Sequence, residues 1–153
     1  MSDKVRGALF NTLGDLDGLT LLDAFAGSGA LAFEAVSRGA DRVVVIDSDR
    51  SAQQAIADNI RALSVANRVK LIRASASAWL TTSDEGFDII LCDPPYDDPQ
   101  PTLLGKLAER AREGGLVVLS LPPAAEVALG APFQPIAIKN YGDAELRFYR
   151  KVA

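Results

Sequence analysis

The tetrapeptide Asp93-Pro94-Pro95-Tyr96 leaves an apolar run, Phe87-Asp88-Ile89-Ile90-Leu91-Cys92, and its residue types can hold a planar amine. An ionised Asp93 only accepts hydrogen bonds. The carbonyl of Pro94 accepts as well, because Pro95 has a locked φ and brings no competing N–H. Tyr96 offers a π-face, and stacking of a base on such a ring contributes roughly 1–3 kcal/mol. An exocyclic amine on a nucleobase is a poor nucleophile while its lone pair is delocalised into the ring. Two acceptors on its hydrogens localise that pair and turn it toward an electrophile. An Asp-Pro step alone is usually just a stiff turn; the whole tetrapeptide at the exit of a buried strand is what points to chemistry.

A second group lies upstream. Leu19-Thr20-Leu21-Leu22-Asp23 reads as a short apolar strand ending in an acid, and Ala24-Phe25-Ala26-Gly27-Ser28-Gly29 turns from it into a helix. Glycine lets a ligand approach the backbone closely. The spacing Gly27-x-Gly29-x-x-Ala32, with Asp47 about 20 residues on at the end of Arg42-Val43-Val44-Val45-Ile46, also fits a dinucleotide fingerprint, so the glycines alone leave an oxidoreductase open. Asp23 separates the two readings. A carboxylate beside the turn repels a pyrophosphate and suits the cationic amino-acid end of S-adenosyl-L-methionine. On this reading Gly27 and Gly29 admit the methionine portion, Asp23 orients it, Asp47 holds the ribose with Ser48 beside it, and Phe25 serves as cofactor wall or core.

These residues must be held by a scaffold, and helical and extended signals alternate along the chain. Apolar residues at Val5, Leu9, Phe10 and Leu13 predict an amphipathic helix over 5–13, with Ser2 or Asp3 able to cap it. Strands are expected at 19–23, 42–47, 69–73, 87–93 and 116–121, then a hairpin of 133–139 with 145–151 joined through Asn140-Tyr141-Gly142-Asp143. Helices are expected at 30–38, 51–63, 75–80 and 102–113, with a turn at 124–129. Strands separated by helices require crossovers and hence parallel pairing. The expected fold class is therefore α/β: a doubly wound, mostly parallel seven-stranded sheet with helices on both faces and an antiparallel C-terminal hairpin. Such sheets bind ligands beyond the carboxyl ends of their strands. Asp23, Asp47, Ser75 and Asp93 all fall at such ends.

Bulk properties narrow the classes. A chain of 153 residues makes one domain, 1–153, with a single sizeable core. It has no apolar run of membrane-spanning length and no secretory leader pattern, so a cytoplasmic location is the expectation. With no histidine there is no histidine base, Ser-His-Asp triad or ordinary zinc ligand set, and no metal is expected. Cys92, the one cysteine, lies inside a strand and reads as packing. The net charge of −4 works against a nucleic-acid partner, since Lys and Arg provide most non-specific affinity for phosphate. Positive side chains do gather toward the two ends: Lys4 and Arg6, then Lys139, Arg147, Arg150 and Lys151.

The chain resembles the class I methyltransferases, and more narrowly the bacterial 16S rRNA guanine-N2 methyltransferases of the RsmD type. The resemblance rests on Ser2-Asp3-Lys4-Val5-Arg6-Gly7-Ala8-Leu9-Phe10-Asn11, Asp23 to Leu31, Ser37-Arg38-Gly39-Ala40, Asp93-Pro94-Pro95-Tyr96 and Tyr141-Gly142-Asp143. It implies S-adenosyl-L-methionine as cofactor and 16S rRNA or a small-subunit assembly particle as partner, with a monomer acting on it. Asp93, Pro94 and Tyr96 then form the catalytic slot, with Pro95, Tyr96, Lys4, Arg6 and Asn11 on the substrate side. Ala74-Ser75-Ala76 stands where the family often has an acid after the third strand, which implies that Ser75, with Ala76 beside it, gives the adenine amine only a weaker hydroxyl contact. The family usually carries a basic N-terminal extension ahead of the position of Ser2. Asp-Pro-Pro-Tyr also serves adenine-N6 and protein-glutamine methyltransferases, and a non-catalytic cofactor- or RNA-binding module of the same fold is the remaining alternative.

Overall fold

The computed structural model describes residues 1–153. Helix α1 (Asp3–Leu13) opens the chain, and Ser2 caps it, its hydroxyl accepting from the Val5 amide at 3.2 Å. Then follow β1 (Thr20–Asp23), α2 (Ala30–Ser37), β2 (Arg42–Asp47), α3 (Arg50–Ala62), β3 (Val69–Arg73), α4 (Ala76–Thr82), β4 (Phe87–Cys92), α5 (Pro101–Ala108), β5 (Ala111–Leu121), β6 (Phe133–Asn140) and β7 (Glu145–Lys151). All seven strands share one sheet in the order β3-β2-β1-β4-β5-β7-β6. The pairings among β1 to β5 are parallel, and both pairings of β7 are antiparallel.

The apolar runs of β1, β2 and β4 are buried on both faces, as parallel strands under helices must be. Two cores result, one on each side of the sheet. Val5, Leu9 and Phe10 of α1 pack with Leu31 and Ala35 of α2 and Ile56 of α3 against one face. Trp79 of α4 and Leu104 and Leu107 of α5 pack against the other. At the lower rim Asp88 of β4 accepts from both the amide (2.9 Å) and the hydroxyl (3.1 Å) of Thr20, tying β4 to the start of β1.

The expected elements are present, with one substantial correction. The helix expected over 102–113 ends at Ala108, and the strand expected to begin at 116 begins at Ala111. Glu109 and Arg110 are good helix formers, so propensity runs on through them. The tertiary fold overrides it: Ala111 is buried opposite Phe87, and the Phe87 amide donates to the Arg110 carbonyl at 2.9 Å. The expected turn at 124–129 is irregular, with one reverse turn in which the Ala125 amide donates to the Pro122 carbonyl.

Candidate functional site

The order of the sheet puts the tips of β3, β2, β1 and β4 side by side, and these carry Ser75, Asp47, Asp23 and Asp93 respectively. Past the tip of β1 the chain stays tied to its neighbours: the Ala24 amide donates to the Leu91 carbonyl at 3.3 Å and the Ala26 amide to the Ile46 carbonyl at 3.1 Å. Gly27 then donates its amide to Asp47 Oδ2 at 2.8 Å, while Oδ1 of Asp47 accepts from the Asp49 amide at 2.8 Å. Asp47 thus shapes the glycine turn and keeps a second lone pair on each oxygen for a ligand.

The two glycines do different work. Gly27, at φ +56°, has open space where a Cβ would stand, so its backbone borders the cleft. Gly29, at φ +84°, is buried; a Cβ there would come within 2.9 Å of the Phe33 ring and 3.1 Å of Ile56. It serves the entry into α2 and its packing, and it does not border the cleft.

A cleft of about 480 Å³ runs along these tips, bounded by Phe25, Gly27, Asp47, Ser48, Ser75, Ala76, Asp93 and Pro95. It also takes in Ser77, Gln100 and Leu103, which sequence reasoning missed. Gln100 caps α5 in a left-handed conformation, φ 52°; only the seating of α5 over the cleft brings it there, and the Gln100-Pro101 step was its one faint signal. A larger cavity of about 630 Å³ between α4 and α5 shares Ser77, Gln100 and Leu103 with the cleft but holds none of the strand-tip acids. The smaller cleft is therefore the candidate site.

Asp23 is fully buried, and neither carboxylate oxygen has a hydrogen-bond partner. Burial, and then the charges of Asp93 and Asp47, push its carboxyl up to about 7; the Phe25 amide favours the ionised form without closing a hydrogen bond of good geometry. A buried carboxyl relieves an unpaired charge by holding its proton, and the Met1 ammonium is the one positive charge that favours its ionised form. The Cys92 thiol is buried, and burial followed by the same two acids, Asp23 and Asp93, raises its pKa, which leaves it an inert packing group.

Asp93 lies just beyond β4 and accepts from the Met1 nitrogen at 3.2 Å through Oδ2. Pro94 is buried and Tyr96 is 67% exposed, and of this tetrapeptide only Asp93 and Pro95 border the cleft. Ser75 caps α4, its hydroxyl accepting from the Ala78 amide at 3.1 Å, which leaves its proton to donate.

The basic residues do not converge. Lys4 is exposed on the first turn of α1, and Arg6 lies one half-turn on, beside the glycine turn. Arg147 is committed to Glu145 and to the carbonyls of Val127 and Ala125. Arg150 and Lys151 bind carbonyls of Gly114, Glu109 and Ala111 near the start of β5, the opposite rim from the cleft. Lys139 reaches Thr12. Asn11 is not brought to the site either. Its side chain accepts from Arg38 at 3.5 Å, and it borders neither the cleft nor its neighbouring cavities.

A sheet of this order, with a glycine turn after β1 and an acid-proline turn after β4, defines the class I methyltransferases. The chain matches the family described as Conserved hypothetical protein 95 over residues 1–150 and belongs to that family, the RsmD family. It is 34% identical to YlbH of Bacillus subtilis, named as a candidate rRNA methyltransferase, over 76% of this chain and 67% of that one. It is 35% identical to ribosomal RNA small subunit methyltransferase D of Escherichia coli over 62% of this chain, a match spanning about half (48%) of that relative's length. A solved structure named as a candidate methyltransferase, yhhF of Escherichia coli, superposes with a TM-score of 0.91 at 27% identity, covering 99% of this chain and 88% of that one.

Proposed function

We propose that this chain transfers a methyl group from S-adenosyl-L-methionine to the exocyclic N2 amine of a guanine in small-subunit 16S rRNA, in the cytoplasm, on naked RNA or an assembly particle. One observation carries the reading: the glycine turn and the Asp93 acceptor border a single cleft on one rim of the sheet. A donor seated over Gly27 and an amine held at Asp93 are then within reach of one displacement.

The residues present suit the cofactor. Gly27 leaves its backbone open, Asp47 retains lone pairs toward a ribose, and Ser75 keeps a proton to donate. When bound, the cofactor supplies an electrophilic methyl carbon on a positively charged sulfur.

The protein does the rest by placement. Asp93 and the Pro94 carbonyl accept the hydrogens of the amine and turn its lone pair toward the cleft, while Tyr96 stacks on the ring. Fixing the two reactants in near-attack geometry supplies roughly 7–11 kcal/mol of the barrier. Once methylated, the nitrogen is acidic and releases its proton to water or to Asp93, so no strong base is required. The Met1 nitrogen on Asp93 Oδ2 must move aside for the amine to take that position. A target base within structured RNA is first extruded, at a cost of a few kcal/mol, and Tyr96 offsets part of it.

The preference for guanine comes from the family, since two acceptors and a stacking ring serve adenine equally well. Incubation with labelled donor and small-subunit particles from a strain lacking the enzyme, followed by nucleoside analysis, tests both points. N2-methylguanosine is expected; N6-methyladenosine would move the chain to the adenine class, and no transfer to RNA would remove the rRNA reading.

A further inference from the structure

We propose that Arg6 is a ligand for the carboxylate of the cofactor's amino-acid end and not an RNA contact; the proposal rests on the methyl-donor reading above. A small cavity of about 110 Å³ lies between the start of α1 and the glycine turn, and Met1, Arg6, Phe25, Gly27, Ser28 and Asp93 are among the residues that border it. It shares Phe25, Gly27 and Asp93 with the main cleft, so it is that cleft's extension past the glycine turn, with room for a small charged group and none for a base.

Three features give this cavity its chemistry. The Arg6 side chain is three-quarters buried, and its one ion-pair partner is Asp3 at 3.1 Å, whose side chain is 94% exposed. Such a surface bridge contributes little and yields readily to a better-placed anion. Helix α2 begins at this cavity with no side-chain cap; the nearest help is Ser28, whose hydroxyl accepts from the Ala30 amide at a long 3.4 Å. Uncapped first-turn amides favour an anion. Asp93 borders the other side and pairs there with the Met1 ammonium at 3.2 Å, so a positive group suits that side and a negative one the space between Arg6 and α2. An α-amino acid end, cationic at nitrogen and anionic at its carboxylate, matches both. The planar guanidinium offers paired donors to a carboxylate, which an ammonium does not. Lys4, two positions earlier, is exposed and borders neither cavity.

Calorimetric titration with two ligands tests the assignment. S-adenosylhomocysteine carries the amino-acid end, and 5′-methylthioadenosine keeps the adenine, ribose and sulfur without it. Arg6→Gln is expected to weaken S-adenosylhomocysteine at least tenfold and to change methylthioadenosine less than twofold, the second ligand reporting that the cleft is still folded. Arg6→Lys should restore part of the loss, and Asp3→Ala should leave both affinities unchanged or improve the first. Equal weakening of both ligands, or none, overturns the role of Arg6. If the unaltered chain fails to bind S-adenosylhomocysteine at all, the methyl-donor reading itself falls. Binding by the unaltered chain with no effect of Arg6→Gln removes this assignment alone.

Discussion

Asp93 and Asp23 stand on the tips of adjacent strands, yet their surroundings differ sharply. Asp93 is partly exposed at the mouth of the slot; Asp23 is sealed behind it. Asp93→Ala is expected to slow single-turnover methylation by at least roughly 10²–10³, the range for removing one preorganised polar group, with S-adenosylhomocysteine affinity nearly unchanged by calorimetry. A parallel fall in affinity would assign Asp93 to the cofactor. For Asp23 the prediction concerns pH. Its folded pKa of about 7 exceeds the 3.8 of an unperturbed carboxyl, so between these values the folded chain holds a proton that the unfolded chain has released. Stability therefore falls as pH rises from about 4 to about 7, by at most roughly 4 kcal/mol, and levels off above. Urea denaturation at pH 5 and pH 8 should show this drop in the unaltered chain and a smaller one in Asp23→Asn. Asp23, Asp47 and Asp93 were legible as strand-end acids because each ends an apolar run, and Asp47 and Asp93 border the cleft while Asp23 is buried away from it. Gln100 and Leu103 were not, since their place depends on how α5 seats over the cleft, and Asn11, expected from likeness of motif alone, does not border it.

Arg147 shows how a single side chain can hold an element. From β7 it donates to Glu145 at 2.8 Å, to the Val127 carbonyl at 2.9 Å and to the Ala125 carbonyl at 3.0 Å, with both charged side chains largely buried. It thereby fastens the irregular segment between β5 and β6 to the sheet. Arg147→Ala leaves Glu145 unpaired together with two carbonyls, and should cost about 3–5 kcal/mol in a urea melt; a loss under about 1 kcal/mol would mean the clip is idle. The alternation of strand and helix was readable from period and punctuation, down to the hairpin of β6 and β7. The end of α5 was not, because Glu109 and Arg110 satisfy helix propensity while the burial of Ala111 beside Phe87 requires extended backbone.

The molecule as a whole is acidic, and its cations are dispersed or already engaged with its own carbonyls. Affinity for rRNA should therefore depend weakly on salt. A plot of log affinity against log salt is expected to have a slope no steeper than about −3, corresponding to about three neutralised phosphates; a slope beyond about −6 would demand a basic face that is absent here. The residue types at the strand ends, the apolar runs and the turn signals were enough to specify a mostly parallel α/β sheet and the rim along which its strand-end acids lie, because periodicity and local chemistry act over a few neighbouring residues. The insertion of β7 between β5 and β6, the burial that lifts Asp23 to about 7 and the approach of Arg6 to the glycine turn arose only on folding. Each depends on contacts between segments far apart in the chain, and the desolvation and strand pairing that set them do not exist until those segments meet.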